Sequence, residues 1–460
     1  MTRNAFAKWK TVLPLAACAL LLPLHAQDGA AKKETAVSAA GIEQEKGEET
    51  MRHAPPKWME NAVFYQIYPQ SFQDSNGDGV GDLRGIIERL DYVKSLGVSA
   101  IWLNPIFDSP FHDAGYDVRD YFKIAERYGT EEDLRLLIKE AHARGLKVLL
   151  DLVAGHTSVE SEWFRKSSEL ERNEFSGRYM WTNGWDDDQR GFRFIGGWPS
   201  GRNGFYMINF FYCQPALNYG FVDPAPGCSW QVPTNHPDAL ATREAMRDVM
   251  RHYLEMGCDG FRVDMASSLV RANDPKLRQQ GLTELWQDYR TWMKRNWPEA
   301  VLVAEWFDPA SAVAAGFDSD FFLTYPAYYS LLRYERARTN AAPIPGWKET
   351  RTSYFDISGK GDAETFLREM EKQLKRLKGK DGFFSLATGN HDIGRIRQGR
   401  TLEDLKTVYV FLFTLPGAPF LYYGDEIGMN YVQGLPNKEG AYCRSGSAGP
   451  GAGARRKTRL

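Results

Sequence analysis

The sequence is poor in cysteine and carries almost no net charge. Five of its 460 residues are cysteines, and no two of them have the CxxC spacing of a zinc site. Lysine and arginine total 57 and aspartate and glutamate total 59, so the formal net charge is -2. A chain so nearly neutral does not favour nucleic acid or an anionic membrane surface as its partner.

The N-terminal apolar run, residues 12–24, is too short for a confident membrane span. It follows three basic residues and is followed by a small residue, which is typical of a secretory signal peptide. We therefore expect residues 1–26 to be removed and the mature chain to be exported, periplasmic or secreted, with no transmembrane span. Residues 27–57 are polar and aperiodic, which predicts a flexible linker. A lipoprotein anchored through Cys18 is the alternative.

Two of the cysteines, Cys213 and Cys228, lie close together in the sequence. In an exported protein they could form a disulfide that closes a loop of about 15 residues and adds roughly 3 kcal/mol. Two free buried thiols are the alternative, and the sequence leaves both open. Cys258 directly precedes a predicted strand and is expected to pack in the core.

The chemically informative residues follow predicted strands. Residues 260–264, GFRVD, alternate in polarity and come after an amphipathic run at 238–256, which predicts a buried strand. Residues two apart on a strand share a face, so Arg262 and Asp264 lie on one side. A guanidinium favours the ionised form of a neighbouring carboxylate, and a carboxylate nucleophile must be ionised. A purely structural ion pair is the alternative.

Further strands are predicted at residues 63–68, 99–103, 146–150, 301–304, 383–387 and 420–423, and a helix at residues 82–96. Three of these strands are followed by polar groups of the same kind. These groups are Asp151, His156, Glu305, Asn390, His391 and Asp392. Helical patterns separate the strands, which predicts an α/β protein of the (β/α)8 TIM barrel class. All strand ends of such a barrel open on one face, so we expect these acids and histidines to form one site.

Four motifs resemble the conserved regions of glycoside hydrolase family 13, the α-amylase superfamily, in order and spacing. They are DLVAGH at 151–156, GFRVD at 260–264, AEW at 304–306 and GNHD at 389–392. The resemblance implies a retaining α-glycosidase in which Asp264 is the nucleophile, Glu305 the acid/base and Asp392 the transition-state stabiliser. It also implies a set of substrate-binding residues, namely Asp113, Tyr116, His156, Arg262 and His391.

The resemblance also implies the domain organisation. The barrel occupies residues 58–152 and 238–430, and residues 153–237 form a domain B insertion after the third strand. Residues 431–460 are read as an irregular, aberrant or disordered tail, because their Ser, Gly, Ala and Arg content shows no periodicity. The family's eighth helix and C-terminal β-sandwich are therefore expected to be missing, and the chain to be truncated at its C-terminus.

Oxygen-bearing side chains alternate in the Gly-rich stretch DSNGDGVGD, residues 74–82. This spacing suits Ca²⁺, although the twelfth position is Gly85 and excludes an EF-hand. A similar loop binds calcium in the oligo-glucosidase branch of the family. We therefore predict a structural calcium site, with a solvated acidic turn as the alternative. The expected ligands are Asp74, Asn76, Asp78, Val80 and Asp82.

The resemblance implies a two-step mechanism with retention of configuration. Asp264 attacks the anomeric carbon, and Glu305, with a pKa expected to be raised beside Trp306, protonates the leaving oxygen. Water then hydrolyses the glycosyl-enzyme, with Glu305 as base. Retaining enzymes hold their two carboxyl groups roughly 5 to 5.5 Å apart.

Departures from the family pattern bear on the substrate. Ser267 and Ser268 replace a Lys-His pair that many endo-amylases use on the leaving-group side, and with Asp113 this favours exo-acting hydrolysis of short malto- or isomalto-oligosaccharides. Gly155 and Ala216 replace an Asn and an acidic residue, which leaves the subfamily open. The alternatives are an endo-acting α-amylase and a transglycosylase or trehalose-synthase-like isomerase. An inactive, truncated sugar-binding protein is the alternative of another class.

Overall fold

The computed structural model describes residues 54–184, 187–196, 201–323, 327–332, 353–355, 361–393, 395–397 and 400–430. The predicted signal peptide, Cys18, nearly all of the predicted linker and the predicted tail at 431–460 lie outside these residues.

Eight parallel strands close into a barrel. In chain order they are Phe64–Ile67, Ala100–Leu103, Lys147–Leu152, Gly260–Val263, Val301–Ala304, Ser319–Phe321, Phe383–Ala387 and Ala418–Tyr422. Each strand pairs with the next, and the eighth returns to the first with Phe64 opposite Phe420. The predicted (β/α)8 barrel is therefore confirmed. The sequence did not predict the sixth strand, because its three residues, SDF, include two polar ones.

The described helices surround this barrel and fill the connections between its strands. They are Leu83–Glu88, Leu90–Ser95, Glu131–Ala143, Glu162–Ser167, Pro237–Met256, Pro275–Asn296, Pro309–Ala314, Ala327–Leu332, Glu364–Leu377 and Leu402–Thr414. None of them combines the length and apolar character that a bilayer crossing needs. The single helix predicted for residues 82–96 is in fact two, because the backbone leaves the helical region at Arg89.

Local sequence signals set several helix ends. Thr130 and Asp133 form a reciprocal capping box at the start of helix Glu131–Ala143. Thr401 and Asp404 form the same motif at the start of helix Leu402–Thr414. The longer helix Pro237–Met256 begins with proline at its first position and ends at Gly257, which adopts a left-handed conformation.

The region between the third strand and helix Pro237–Met256 is built differently from the barrel. It holds the short helix Glu162–Ser167 and an antiparallel pair of two-residue strands, Phe194–Ile195 and Tyr206–Met207. A small core of its own lies beneath them, consisting of Met180, Met207, Ala216, Phe221 and Trp230. The exact bounds of the predicted domain B, 153–237, stay a prediction.

Aromatic packing inside the barrel supports the site above it. Phe64 and Phe420 stack with ring centroids 4.3 Å apart, and Trp102 contacts both Phe420 and Phe321. All four rings are buried. Trp102 also donates a hydrogen bond from its ring nitrogen to Asp151, so the apolar core fixes the position of a charged group.

The structure contains Cys213 and Cys228 as free thiols, so the disulfide alternative is wrong and the free-thiol alternative holds. The reason is that the two side chains belong to different layers. Cys213 is part of the main core, whereas Cys228 packs against the small core of the inserted region. Burial raises the pKa of Cys213 to about 12, which makes this thiol unreactive.

Substituting Gly260 tests the close packing of the fourth and fifth strands. Gly260 has a φ of +142°, and a Cβ there would overlap the backbone oxygen and nitrogen of Val301. We expect Gly260→Ala to lower the free energy of unfolding by about 3 kcal/mol or more, or to prevent soluble expression. Gly97→Ala is the control, because Gly97 has a φ of +81° but no atom near its Cβ position, so the cost should be about 1 kcal/mol. Chemical denaturation that gives equal losses for both variants would contradict this account.

Candidate active site

The candidate site lies at the carboxyl ends of neighbouring barrel strands. Asp151 belongs to the third strand and is paired in register with Arg262 on the fourth. Asp264 follows the fourth strand directly, and Glu305 follows the fifth. Strand adjacency in the barrel therefore brings together residues that are more than 100 positions apart in the sequence.

The Arg262 guanidinium lies at the centre of this group and contacts three carboxylates. Its Nη1 is 3.0 Å from both oxygens of Asp151 and 3.2 Å from Oδ1 of Asp264, while its Nη2 is 2.8 Å from Oε2 of Glu305. The Asp151 and Arg262 side chains are fully buried, and those of Asp264 and Glu305 are 10% and 17% exposed. Among the residues that the structure describes, one positive charge thus faces three acidic groups.

The pKa of Asp264 is raised well above its ordinary value, first by burial and then by the Glu305 carboxylate, with Arg262 acting in the opposite direction. Burial also raises the pKa of Asp151 to about 6 against the same guanidinium. The expectation that Arg262 gives Asp264 a low pKa is therefore wrong, because one shared cation does not offset burial and a second acid. The two candidate catalytic carboxyls both contact Arg262 and interact with each other electrostatically, so their protonation is coupled.

Tyr116 joins the charged centre to the surrounding loops. Its hydroxyl donates to Oδ2 of Asp151 at 2.9 Å and accepts from the Asn104 side chain at 3.1 Å. The His391 ring stacks on the Tyr116 ring, with centroids 5.3 Å apart and planes inclined by 12°. The structure therefore brings Tyr116 and His391 to the predicted location.

His391 links Asp392 to this group. Its Nδ1 accepts from the Gln66 amide at 3.0 Å, so its Nε2 carries the proton that faces Oδ2 of Asp392 at 3.3 Å. Unlike the buried His391, the Asp392 side chain is 38% exposed. Asp392 therefore lies at the open rim above the buried residues.

His156 is neutral and firmly held. Its Nε2 donates to the Tyr116 carbonyl at 3.1 Å, and its Nδ1 accepts from the Asn209 amide at 3.1 Å. Burial lowers the pKa of His156 to about 4. This imidazole therefore carries no charge at neutral pH.

Gly155 leaves room for Asn209, a side chain from the inserted region. A Cβ on Gly155 would come within 2.7 Å of the Asn209 amide nitrogen and 3.0 Å of the Ser268 hydroxyl. That same amide nitrogen donates to Ser268 at 3.1 Å. The missing side chain at Gly155 and the small one at Ser268 are thus two parts of one packing arrangement around Asn209.

Asp113 is buried in the loop that carries Tyr116. Its carbonyl accepts from the Tyr116 N–H at 2.8 Å, and its carboxylate accepts from the Gln214 amide at 2.7 Å. The backbone N–H of Asp113 in turn donates to Asp117 at 3.0 Å. Asp113 is thus fixed beside the predicted sugar-stacking tyrosine by both its backbone and its carboxylate.

The backbone around Glu305 is held by two neighbouring segments. Met265, in a left-handed conformation with a φ of +43°, donates its N–H to Oε2 of Glu305 at 2.9 Å. On the other side, Asp320 accepts from the N–H groups of Trp306 and Phe307 at 2.8 and 3.3 Å. Glu305 is therefore positioned by the turn after the fourth strand and by the sixth strand.

The predicted calcium loop lies after the first strand and apart from these residues. Asp74 accepts from Gly77 and Gly79, and although burial raises its pKa, these two N–H groups outweigh that effect and keep it below the ordinary value. Asn76 donates to Asp78 at 3.1 Å. Both oxygens of Asp82 already accept hydrogen bonds, from Ser75 and from the first turn of helix Leu83–Glu88.

The donors of this loop are all oxygens, which fits a hard cation such as Ca²⁺. Among the residues that the structure describes, no group of three or more His, Cys, Asp or Glu side chains is arranged to hold a metal ion. The calcium prediction therefore depends on the chemistry of the loop.

Several residues of the site were missed from the sequence. They are Gln66, Trp102, Asn104, Asn209 and Asp320. The first three belong to or directly follow predicted strands, so the rule that strand ends form the site could have found them. The last two had no such signal, because one lies in the irregular insertion and the other in the unpredicted sixth strand.

Known proteins resemble this chain over most of its length. The family described as "Alpha amylase, catalytic domain" matches residues 66–448. The trehalose synthase/amylase TreS of Mycolicibacterium smegmatis is 33% identical over 441 residues, which cover 87% of this chain and 69% of that protein. The oligo-1,6-glucosidase of Heyndrickxia coagulans is 30% identical over 398 residues, covering 81% of this chain and 67% of that protein.

Solved structures agree with these similarities. The trehalulose synthase MutB from Pseudomonas mesoacidophila MX-45 has a TM-score of 0.65 and 25% identity, and the match covers 82% of this chain and 67% of that one. The chain thus spans about two thirds of the length of each of these proteins. Since the family match covers more than half of the sequence, this chain belongs to the α-amylase family of glycosidases, glycoside hydrolase family 13.

Proposed function

We propose that the protein is a retaining α-glucosidase that releases glucose from short malto- or isomalto-oligosaccharides. The observation that carries this proposal is the pair of carboxyls, Asp264 and Glu305, bound to one buried arginine at the ends of adjacent strands. Retaining glycosidases need two nearby carboxyl groups that together hold one proton.

The proton must lie on Glu305 when the reaction starts. Asp264 then attacks the anomeric carbon as a carboxylate, while Glu305 donates its proton to the departing oxygen. The bond between that oxygen and the anomeric carbon breaks, and the glucosyl unit is left as an ester on Asp264. In the second step Glu305 removes a proton from water, which attacks the same carbon and releases Asp264. Arg262 contacts both groups, so it stabilises whichever of them is ionised.

The neighbouring polar groups are suited to hold the sugar. The Nε2–H of His391 can donate to a hydroxyl oxygen, and the exposed Asp392 carboxylate can accept from hydroxyl groups. The one N–H of neutral His156 is held by the Tyr116 carbonyl, so this imidazole fixes the loop that carries Tyr116. The Tyr116 ring offers an aromatic face beside them. Negative charge at Asp392 and Asp264 favours an oxocarbenium-like transition state.

A second candidate function is glucosyl transfer or isomerisation on the same site. It is favoured by the similarity to the trehalose synthase/amylase and the trehalulose synthase. Hydrolysis and transfer share the glycosyl-enzyme and differ only in whether water or a sugar hydroxyl intercepts it. The nature of the products therefore decides between them.

We also propose a structural role for Ca²⁺ at the loop after the first strand. Asp74, Asn76, Asp78 and Asp82 side chains and the Val80 carbonyl would hold it, and the ion would stabilise the loop by neutralising its carboxylates. Export through the N-terminal signal likewise stays a proposal from residues 1–26.

The product profile tests the proposed function. We expect glucose to be the first product from maltose or isomaltose, and maltoheptaose to be degraded faster than starch at equal glucose-unit concentration, since Ser267 and Ser268 give no strong grip for an internal chain segment. Chromatography of early time points is the measurement. Mixed-length oligosaccharides from starch would indicate endo-action, a new disaccharide from maltose would indicate transfer, and no product from any substrate would indicate a binding protein.

Replacing Asp264 by Asn should separate activity from stability. We expect Asp264→Asn to lower kcat by at least about 10⁴-fold, because the amide cannot attack. The pKa of Asp264 is raised in the folded protein, so its ionisation destabilises the fold as pH rises above about 3.9, and the amide avoids this cost.

The variant should therefore melt at a higher temperature than the parent at pH 7, and the difference should shrink towards pH 4. Scanning calorimetry across this range measures it, with Glu305→Gln as a second isosteric variant. A melting temperature below that of the parent at pH 7, or full turnover by Asp264→Asn, would contradict the assignment.

Removing calcium should affect stability more than chemistry. A bound ion at 100 times its dissociation constant adds about 2.7 kcal/mol, so a chelator should lower the melting temperature by several degrees. Initial rates at low temperature should change little, because the loop is separate from Asp264 and Glu305. The double variant Asp74→Asn, Asp78→Asn serves as control and should not respond to chelator. Identical melting curves of the parent protein with chelator and with excess calcium would refute the site.

A further inference from the structure

The turn that follows Asp264 lies beside the group expected to protonate the leaving oxygen. Met265 donates to the Glu305 carboxylate at 2.9 Å, and Ala266 donates to the Glu305 backbone carbonyl at 3.1 Å. An acid must face the bond that it cleaves, so the leaving group passes next to this turn. The residues that border the turn therefore contribute to recognition of the leaving group.

Arg193 and Arg271 lie at this border, and Arg278, near the start of helix Pro275–Asn296, is close enough to repel Arg271 electrostatically. We refer to these three arginines as the arginine cluster. Arg271 donates to the Asn209 side-chain oxygen at 2.8 Å and to the Ser268 carbonyl. Arg193 donates to the backbone carbonyls of Asn209 and Phe210. Asn209 in turn contacts His156, so the cluster is two hydrogen bonds away from a predicted sugar ligand.

No arginine of the cluster forms an ion pair with an acidic residue in the described part of the chain. Acids that neighbour Arg271 in the fold or in the sequence have other partners. Asp223 accepts from the backbone N–H groups of Asn273 and Asp274, and Asp274 accepts from the N–H of Lys276. The hydrogen-bond partners of Arg193 and Arg271 are neutral oxygens, so within the described part of the chain their charge is uncompensated.

The electrostatics agree with this geometry. Burial, followed by repulsion from Arg278 and Arg193, lowers the pKa of Arg271 to about 9. Arg278 has an exposed surface, yet desolvation lowers its pKa as well, as expected for a side chain in a concavity. The Arg271 charge also contributes to the low pKa of His156, which shows how near the cluster is to the site.

Several arginines elsewhere on the surface are compensated by acids. Arg119, Arg135 and Arg376 each lie 2.5 to 2.6 Å from a carboxylate oxygen. An uncompensated group of three arginines would be stabilised by an anion, since guanidinium binds phosphate and carboxylate through paired, charge-assisted hydrogen bonds. The carboxylates of Asp151, Asp264 and Asp392 would repel such an anion.

We propose that the leaving-group side of the site recognises α-glucosides whose leaving group carries an anion, either a phosphate ester or a carboxylate. The proposal rests on the proposed function, because it assigns the substrate class of the same site. Arg193 and Arg278 are exposed and contact the anion, whereas Arg271 adds positive charge from behind. The glucosyl part is bound by the acidic and neutral residues on the other side.

Equilibrium binding tests this without depending on turnover. The Asp264→Asn protein is titrated calorimetrically with maltose, with maltobionate, and with maltose phosphorylated on its reducing-end glucose. We expect at least one anionic ligand to bind at least about ten-fold more tightly than maltose at low salt, and the preference to fall as salt is added. If that variant does not fold, the inhibition constants of the three ligands are measured instead, with the parent protein hydrolysing p-nitrophenyl α-glucoside. If the parent protein is inactive, the parent protein itself is titrated with the three ligands.

Variants of the cluster provide the control. Arg278→Gln and Arg193→Gln should each reduce the ratio of anionic to neutral affinity by about five-fold or more, whereas Arg165→Gln, an exposed arginine of the same insertion, should not. Tight binding of only the phosphate or only the carboxylate identifies the anion. Equal affinities for all three ligands would overturn the proposal, and so would a preference for anionic ligands that is unchanged in both cluster variants. The cluster would then serve only to hold the Asn209 backbone in place. Absence of turnover with unchanged anion preference would instead count against the proposed hydrolysis alone.

Discussion

A single buried guanidinium sets the arrangement of the active site. Taking Arg262 and three carboxylates out of water is costly, and one positive charge cannot balance three negative ones. The group is therefore least costly when one of the acids keeps a proton. Because Asp264 and Glu305 both contact Arg262, the charge imbalance that destabilises the fold also favours a single proton on this pair, which is the state that the proposed retaining mechanism needs.

Neutral hydrogen bonds extend outward from this charged centre. Asp151 holds Tyr116 and Trp102, Tyr116 supports both His391 and His156, and Gln66 fixes the tautomer of His391. These contacts join the first, second, third and seventh strands through groups that need no countercharge. Within this network the charged side chains are thus Arg262, its three carboxylates and Asp392 at the rim, and the groups between them are neutral donors and acceptors of hydrogen bonds.

The parts of the fold that could be predicted from the sequence are those with local signals. Apolar runs ending in polar residues identified seven barrel strands, and four motifs placed the candidate catalytic group. The sixth strand was missed because Ser319 and Asp320 interrupt its polarity pattern, although Asp320 positions the residues after Glu305. The raised pKa of Asp264 could not be foreseen either, because it depends on how many other acids share Arg262, and that number is a property of the folded barrel.

Gly155 and Ser268 both depart from the family's sequence pattern, and the fold places both of them around Asn209. In the sequence, each of the two residues is a replacement of a larger polar side chain by a smaller residue. In the folded protein both make space for Asn209, which bonds to His156 and Ser268 through its nitrogen and to Arg271 through its oxygen. Restoring a larger side chain at Gly155 would displace Asn209 and remove an acceptor of a buried cation. His156, a predicted sugar ligand, and the arginine cluster are therefore coupled through one amide, so a change at either one is expected to affect the other.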